Sequence, residues 1–264
     1  MIQLISLDLD GTLLGPDGDL TPGAAEAIAR ARAAGVRVVL NTGRPMTEAG
    51  DFARRAGCDS LVSCLGGALL GDARTGAELR RWDIPQPWGY RALEICLGRR
   101  LEITIFSGNQ VVLDPFSKQS LLRTYPYPEF HAEAIVAEDP LAYMRERGMP
   151  VTKLHGDLGP CPRAELEELE GLELTTSTPT DFEVIPRGVN KGSTLALIAL
   201  MYGVPLEGCA AVGDSENDLP MLKAAGLAIA MGNAPEQVKA AARRVVDTNA
   251  QGGVVQAILR CLEH

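Results

Sequence analysis

Histidine, lysine and paired cysteines are scarce in this 264-residue chain, and each shortage removes a class of function. The histidines are His131, His155 and His264, and the cysteines are Cys58, Cys64, Cys96, Cys161, Cys209 and Cys261. No C-x-x-C pair occurs among them, so nothing has the spacing of a zinc site. Cysteines scattered singly through apolar stretches read as reduced core residues of a cytosolic protein. Basic charge is also short. The 25 Lys and Arg against 34 Asp and Glu leave a net charge of −9, which argues against a nucleic-acid or anionic-membrane partner. Five lysines stand beside twenty arginines, so any lysine inside a motif is conspicuous. The longest apolar run, Leu195 to Leu206, is too short to span a bilayer. The opening residues lack a basic leader and Asp8 interrupts their apolar run, so no signal peptide is expected and a cytoplasmic location is. There is no internal repeat and no low-complexity segment beyond a general richness in alanine. What is there, 46% hydrophobic and 22% charged residues, is the balance of an ordinary globular protein. The length suits one large α/β domain or two smaller ones.

The most informative stretch is Leu4 to Leu14, LISLDLDGTLL. A short apolar run reads as a buried strand. It ends in two carboxylates two residues apart, then Gly11 and Thr12. Alternation along an extended chain is expected to point Asp8 and Asp10 the same way. Two like charges at ~4 Å repel by roughly 4 kcal/mol at an effective dielectric of about 20, so a fold keeps such a pair only with a cation or a proton to relieve it. Taken alone, Asp-x-Asp at a strand end describes two ordinary surface aspartates. Later features change that reading.

After this strand, Thr21-Pro22 reads as a helix cap with proline at the first helical position, and Ala24, Ala25, Ile28 and Ala31 form an apolar stripe up to Gly35. Val36 to Leu40 is the next strand and stops at Asn41-Thr42-Gly43-Arg44. Pro45 then opens a helix ending near Gly57, and Leu61 to Cys64 is a third strand. Strand, helix, strand, helix at this spacing means right-handed crossovers and a parallel sheet. A hairpin follows over Gly67 to Trp82. The texture changes at two proline-bearing crossings, Asp83 to Trp88 and Thr178-Pro179 to Pro186-Arg187. Between them lie β-type runs at Leu101 to Phe106, Gln110 to Leu113, Val151 to Leu154, Leu172 to Thr176 and Asp181 to Ile185. Helical segments surround Arg91, Leu141 and Leu166. The expected architecture is an α/β fold: a doubly wound, Rossmann-like parallel-sheet core from residues 1–82 and 186–264, with an inserted α/β domain over 83–185. In the second core segment, Lys191 opens a helix, Gly208 to Val212 is a strand ending at Gly213-Asp214, and Leu227 to Ala230 is another. A terminal helix begins at Gly253.

Several chemistry-bearing residues share one address. Asp8 and Asp10, Thr42 and Gly43, and Asp214 with Asn217 and Asp218 each follow the carboxyl end of an expected parallel strand. Lys191 sits at a helix N-terminus. In open α/β sheets the ligand crevice lies outside those strand ends. Three carboxylates converging there (Asp8, Asp10, Asp214) call for a hard divalent cation, and an all-oxygen site suits Mg²⁺. Lys191, the Thr42 hydroxyl, the Asn217 amide and loop N–H groups form a donor-rich cradle for an anion such as phosphate. Asp8, nearest the rigid strand, is the candidate nucleophile. Asp10 is the candidate group for protonating a leaving alkoxide and then deprotonating water. For Arg44, substrate contact and a surface salt bridge both remain open. Trp82 and Trp88 read as packing anchors, and His131 and His155 as surface or core residues of the insert.

DLDGTLL (Asp8 to Leu14), NTGR (Asn41 to Arg44), NKG (Asn190 to Gly192) and GDSENDLPML (Gly213 to Leu222) occur in the order of the four motifs of haloacid dehalogenase-like phosphatases. The chain resembles that superfamily over its whole length. FEVIPRGVNKG (Phe182 to Gly192) and MGNA (Met231 to Ala234) resemble its Cof-type subgroup, whose insert is an α/β cap. The resemblance implies Asp8 as nucleophile and Asp10 as general acid and base. It implies Mg²⁺ held by Asp8, Asp214 and the backbone carbonyl of Asp10. Thr42, Lys191 and Asn217 would hold phosphate, helped by backbone groups of Leu9 and Gly43. Asp218 would orient the metal's ligands or Lys191. One departure stands out: Gly66-Gly67-Ala68 occupies the place where such relatives carry Asn-Gly-Ala.

The expected activity is Mg²⁺-dependent hydrolysis of small phosphomonoesters, sugar phosphates first and phosphorylated cofactors second, by a monomer or weak homodimer. A phosphotransferase or hexose-phosphate mutase is the alternative on the same scaffold, separated by transfer to an added sugar phosphate. A non-catalytic phosphometabolite sensor predicts binding without phosphate release. A dehalogenase is disfavoured because Asp10 is present.

Overall fold

In a computed structural model, the chain is described over residues 1–99, 101–125, 127–157, 161–178 and 180–263. Pro179, named in the second crossing, and His264 lie outside the described residues. The chain divides into two compact units, residues 1–80 with 190–264, and residues 81–189.

In chain order, the first unit begins with β1 (Leu4–Leu7), α1 (Ala24–Ala33), β2 (Arg37–Asn41), α2 (Met46–Ala56), β3 (Leu61–Cys64), β4 (Leu69–Asp72) and β5 (Ala77–Arg81). The second unit carries α3 (Trp88–Gly98), β6 (Ile103–Ser107), β7 (Gln110–Leu113), α4 (Pro115–Thr124) and α5 (Pro128–Glu133). It continues with β8 (Ile135–Val136), α6 (Pro140–Glu146), β9 (Lys153–Asp157), α7 (Arg163–Glu167), β10 (Leu172–Thr175) and β11 (Asp181–Pro186). The first unit resumes with α8 (Lys191–Tyr202), β12 (Cys209–Gly213), α9 (Leu219–Ala224), β13 (Leu227–Ala230), α10 (Glu236–Ala241), β14 (Arg244–Val245) and α11 (Gly253–Leu262).

The first unit's sheet runs β14-β13-β12-β1-β2-β3-β4-β5. Its pairs from β14 through β3 are parallel, and β4 returns antiparallel to β3. β1 is central: Ile5 pairs with Ala210 on one side and Val38 on the other. All four of its residues are buried, the condition of a strand covered on both faces. This is the doubly wound parallel core, with an antiparallel hairpin added at one edge.

Local chemistry sets the helix ends. Gly57, at φ +74, closes α2, and Gly203, at φ +68, closes α8, both in the left-handed conformation that a side chain opposes. At α8 the Asn190 side chain accepts from the N–H groups of Gly192 and Ser193, while the Ser193 hydroxyl accepts from the Asn190 N–H. This reciprocal cap stabilises the helix start by about 1 kcal/mol and pins the first helical residue, Lys191. At α1 the expected Thr-Pro cap is not made. Gly23, at φ +82, turns the chain and the helix starts two residues later than the sequence suggests, at Ala24. The stripe is also shifted slightly, with Ala24, Ala27, Ile28 and Ala31 buried.

The second unit has a mostly antiparallel sheet in the order β10-β11-β9-β6-β7-β8. One face buries Ile103, Ile105, Leu154, Phe182 and Val184 with Ala92, Leu93 and Cys96 from α3, Met144 from α6 and Leu166 from α7. Trp88 packs against this cluster, and a side chain at Gly171 would meet its ring at 2.5 Å. Two helices of this unit, α4 and α5, fall where no element was expected. All six cysteines are free thiols, four of them buried. No helix among the described residues is long and apolar enough to cross a membrane.

Candidate active site

The site is assembled at the carboxyl ends of β1, β2 and β12 and the N-terminus of α8, all in the first unit. Asp8 follows the last residue of β1, and its N–H donates to the Val212 carbonyl at 2.9 Å, which ties it to β12. Its side chain is buried, and Oδ1 accepts from Lys191 Nζ at 2.6 Å. The same ammonium donates to Asp218 Oδ1 at 2.6 Å. Lys191 is 2% exposed and Asp218 is fully buried. The other oxygen of Asp218 accepts from the N–H groups of Asp214 and Ser215, at 2.8 and 2.9 Å. Asp218 therefore fixes both Lys191 and the loop that carries Asp214.

Asp214 is oriented on both oxygens. Thr12 Oγ1 donates to its Oδ1 at 2.9 Å, and Asn233 Nδ2 donates to its Oδ2 at 3.1 Å. Gly11, at φ +74, lets the β1 loop pass this close: an added Cβ would lie 2.2 Å from Asp214 Oδ2. One carboxylate oxygen each from Asp8, Asp214 and Asp218 lies within 4.8 Å of the others.

Three carboxylates around one ammonium leave an excess of two negative charges in a buried place. The titration behaviour expresses that excess. Burial and the nearby Asp218 push the Asp8 carboxyl well above its ordinary value, with Lys191 pulling against them. Burial and Asp218 likewise raise Asp214, to about 7. Burial alone would lower Lys191, but Asp218 and Asp8 hold it as an ammonium far above the usual lysine range. A hard divalent cation with oxygen ligands fits this donor set. Asp8, Asp214 and Asp218 each have one carboxylate oxygen close enough to the others to face such a cation, and Asp218 is also the one that holds Lys191 and the Asp214 loop.

Asp8 and Asp10 do not point the same way. The strand stops at Leu7 and the following turn, rather than strand alternation, sets their directions. Asp10 stands outside the acidic group, 55% exposed, with both oxygens held by Arg44. The structure thus joins Asp8, Asp214, Asp218 and Lys191 and pairs Asp10 with Arg44. Thr42 is fully buried at the end of β2, and its hydroxyl accepts from the Arg44 N–H at 3.2 Å. Gly43 lies between them in the same loop. Asn217 is buried beside Asp218, and its Oδ1 accepts from Ser215 Oγ at 2.8 Å. Leu9 is buried, and its carbonyl accepts from the Leu14 N–H.

Sequence reading assigned no role to Thr12, Asn41 or Asn233. Asn41 Nδ2 donates to the Lys191 carbonyl at 2.8 Å and so anchors the α8 start. Each of the three lies inside a motif already singled out, so the signal was present. What the sequence withholds is which backbone or carboxylate each one meets. At the unusual Gly66-Gly67 pair, Gly67 has φ +105, and an added Cβ would lie 2.5 Å from the Asn190 carbonyl. The glycine permits close contact with the cap of α8.

A family model described as haloacid dehalogenase-like hydrolase matches residues 5–258. A 5-amino-6-(5-phospho-D-ribitylamino)uracil phosphatase of Bacillus subtilis is 29% identical over 261 residues, covering 97% of this chain and 94% of that protein. A pyridoxal phosphate phosphatase of Escherichia coli is 29% identical over 266 residues, covering 97% of each. The solved structure of a haloacid dehalogenase-like hydrolase from B. subtilis superposes with a TM-score of 0.85 at 26% identity, covering 98% of this chain and 99% of that one.

Proposed function

The chain belongs to the haloacid dehalogenase-like hydrolases, and from that membership we propose that it hydrolyses small phosphomonoesters through a phosphorylated Asp8. The observation that carries this reading is the Asp8–Lys191 contact at 2.6 Å inside a buried group of three carboxylates. A carboxylate held there beside an ammonium is suited to meet a phosphoryl group once the excess negative charge is offset.

Mg²⁺ is the proposed cofactor, with Asp8, Asp214 and the Asp10 backbone carbonyl to hold it. When bound it would neutralise carboxylate and phosphoryl charge at the point of attack. The remaining work belongs to the protein. Lys191, Thr42, Asn217 and the N–H groups of Leu9 and Gly43 hold and orient the phosphate. An Asp8 oxygen attacks phosphorus, the bond to the leaving oxygen breaks, and Asp10 supplies the proton that the departing alkoxide needs. Asp10 then takes a proton from water as that water attacks the acyl-phosphate, which releases inorganic phosphate and restores Asp8. Lys191 keeps its charge throughout. Selection of the leaving group is assigned to the second unit, the inserted domain.

Sugar phosphates and phosphorylated cofactors are the proposed substrates; of the two relatives named above, one is named for a phosphoribitylamino-uracil and the other for pyridoxal phosphate. The test is phosphate release across a panel of such esters, with and without Mg²⁺, from wild type and Asp8→Asn. The variant is expected to lose at least ~10³-fold in turnover while still binding inorganic phosphate. Wild-type turnover in a purified Asp8→Asn sample, or equal release with the metal chelated, would refute the scheme.

A further inference from the structure

We propose that Glu183, held by Lys153, sets the choice of leaving group by accepting a hydrogen bond from a hydroxyl of a neutral, polyhydroxylated one. The proposal rests on the reading of the protein as a phosphomonoesterase whose second unit selects the leaving group. Both residues belong to that unit's sheet, and Glu183 falls in FEVIPRGVNKG, the segment that also supplies Lys191. Phe182 and Val184 on β11 and Leu154 on β9 enter the apolar cluster formed with α3, α6 and α7. Strand alternation therefore turns Lys153 and Glu183 to the opposite face. Register sets Glu183 across from His155 on β9 and Thr175 on β10. His155 in turn faces Thr104 on β6, and Lys153 faces Phe106.

The Lys153 ammonium donates to Glu183 Oε1 at 2.5 Å, and each side chain is 2% exposed. Lys153 Nζ also lies 5.9 Å from the Phe106 ring centroid. The other carboxylate oxygen, Glu183 Oε2, is shut off from solvent and has no hydrogen-bond partner among the described residues. A sheet has no need of such a pair, since apolar residues of similar volume usually serve stability as well or better. The open acceptor adds a cost of about 1–3 kcal/mol, which a donor brought to Oε2 would recover. His155, directly across from Glu183, is 31% exposed, so solvent reaches the adjoining position. The charges of the pair define the donor. Carboxylate and ammonium cancel, so the pair offers no net attraction to an anionic leaving group. A cationic amine would meet Lys153 as a like charge. A hydroxyl meets neither objection, and Thr104, His155 and Thr175 supply further hydrogen-bonding groups in the same row for a leaving group that carries several.

The experiment measures kcat and KM at saturating Mg²⁺ for ribitol phosphate and pentyl phosphate, esters of equal chain length that differ in their hydroxyls. Wild type is expected to favour the polyol ester in kcat/KM by at least about tenfold. Lys153→Met combined with Glu183→Leu removes both charges at similar volume and so leaves no buried charge unpaired; urea unfolding checks that it is folded. In this double variant the ratio of kcat/KM values, polyol over alkyl, is expected to fall ~10–100-fold, chiefly through a higher KM for the polyol ester. The inhibition constant of inorganic phosphate is expected to move less than about threefold. Glu183→Gln keeps the shape and serves should the double variant unfold. Lys153 draws the amide oxygen, an N–H donor replaces the acceptor, and the same ratio is expected to fall about 3–30-fold. Equal losses on both esters would make the pair structural and overturn the proposal. So would an unchanged ratio in a folded variant, or a wild type indifferent to the hydroxyls. Turnover of neither ester also overturns it, and phosphate release from the wider panel of esters then shows whether the phosphomonoesterase reading itself survives.

Discussion

Lys191→Met is the most demanding test of the buried charge arrangement. The ammonium makes two contacts of 2.6 Å, to carboxylates that are 5% and 0% exposed. Removing it leaves Asp8, Asp214 and Asp218 within 4.8 Å of one another with no internal cation. Breaking a buried ion pair on one side costs about 3–5 kcal/mol. For a chain of this size that corresponds to a melting temperature lower by roughly 6–20 °C.

The pH dependence has a definite sign. A carboxyl raised in the folded state contributes stability that is present below its unfolded value, near 4, and lost as pH climbs through its folded value, about 7 for Asp214. The deficit of the variant is therefore expected to be large at about pH 8 and to shrink toward about pH 5, as the cluster takes up protons. Asp181 in the second unit works in the opposite sense. Burial opposes its ionisation, but hydrogen bonds with His155 and Ser177 dominate and lower its value, so its stabilisation is lost on acidification. That contribution is shared by wild type and variant and cancels in the difference. Magnesium chloride is expected to recover part of the loss at the higher pH. Thermal melts at both pH values, with and without Mg²⁺, make the measurement. A deficit below about 1 kcal/mol at pH 8, or one identical at both pH values and indifferent to Mg²⁺, would show that the cluster is not electrostatically strained.

Asn233→Ala removes the donor that steadies Asp214 Oδ2 and is expected to raise the Mg²⁺ concentration needed for half-maximal activity about tenfold. An unchanged magnesium titration would disprove that role. Gly67→Ala places a methyl group 2.5 Å from the Asn190 carbonyl at φ +105, so a loss of roughly 1–3 kcal/mol is expected in urea unfolding, with lower phosphatase activity as the α8 start shifts. Unaltered stability and activity together would mean that the Gly67–Asn190 contact does not set the position of Lys191.

Much of this molecule was legible because its strands are short apolar runs that stop at polar residues. Leu61–Cys64 and Leu227–Ala230 coincide with the sequence reading, and α2 lies between the Pro45 and Gly57 signals. Failures arose where a glycine changed the chain's direction. Gly23 moved the start of α1, and the turn containing Gly11 separated Asp8 from Asp10. The α4 helix had a readable start, since Asp114 accepts from the Ser117 N–H with Pro115 at the first helical position. Its weakly patterned residues concealed it. The Arg44–Asp10 pair was unreadable for another reason: 34 positions separate its partners, and only the pairing of β1 with β2 brings their loops together.

The position of β1 in the sheet constrains how the chain is made. Its β12 neighbour begins 205 residues downstream, at Cys209, and the whole of the inserted unit is synthesised in the interval. A ribosome-bound chain therefore holds this fully buried strand with one edge open for most of translation. Such an edge invites wrong pairing and slows folding that must wait for distant contacts. Nascent chains arrested before Cys209 should recruit chaperones at β1, and those extended through α8 and β12 should release them.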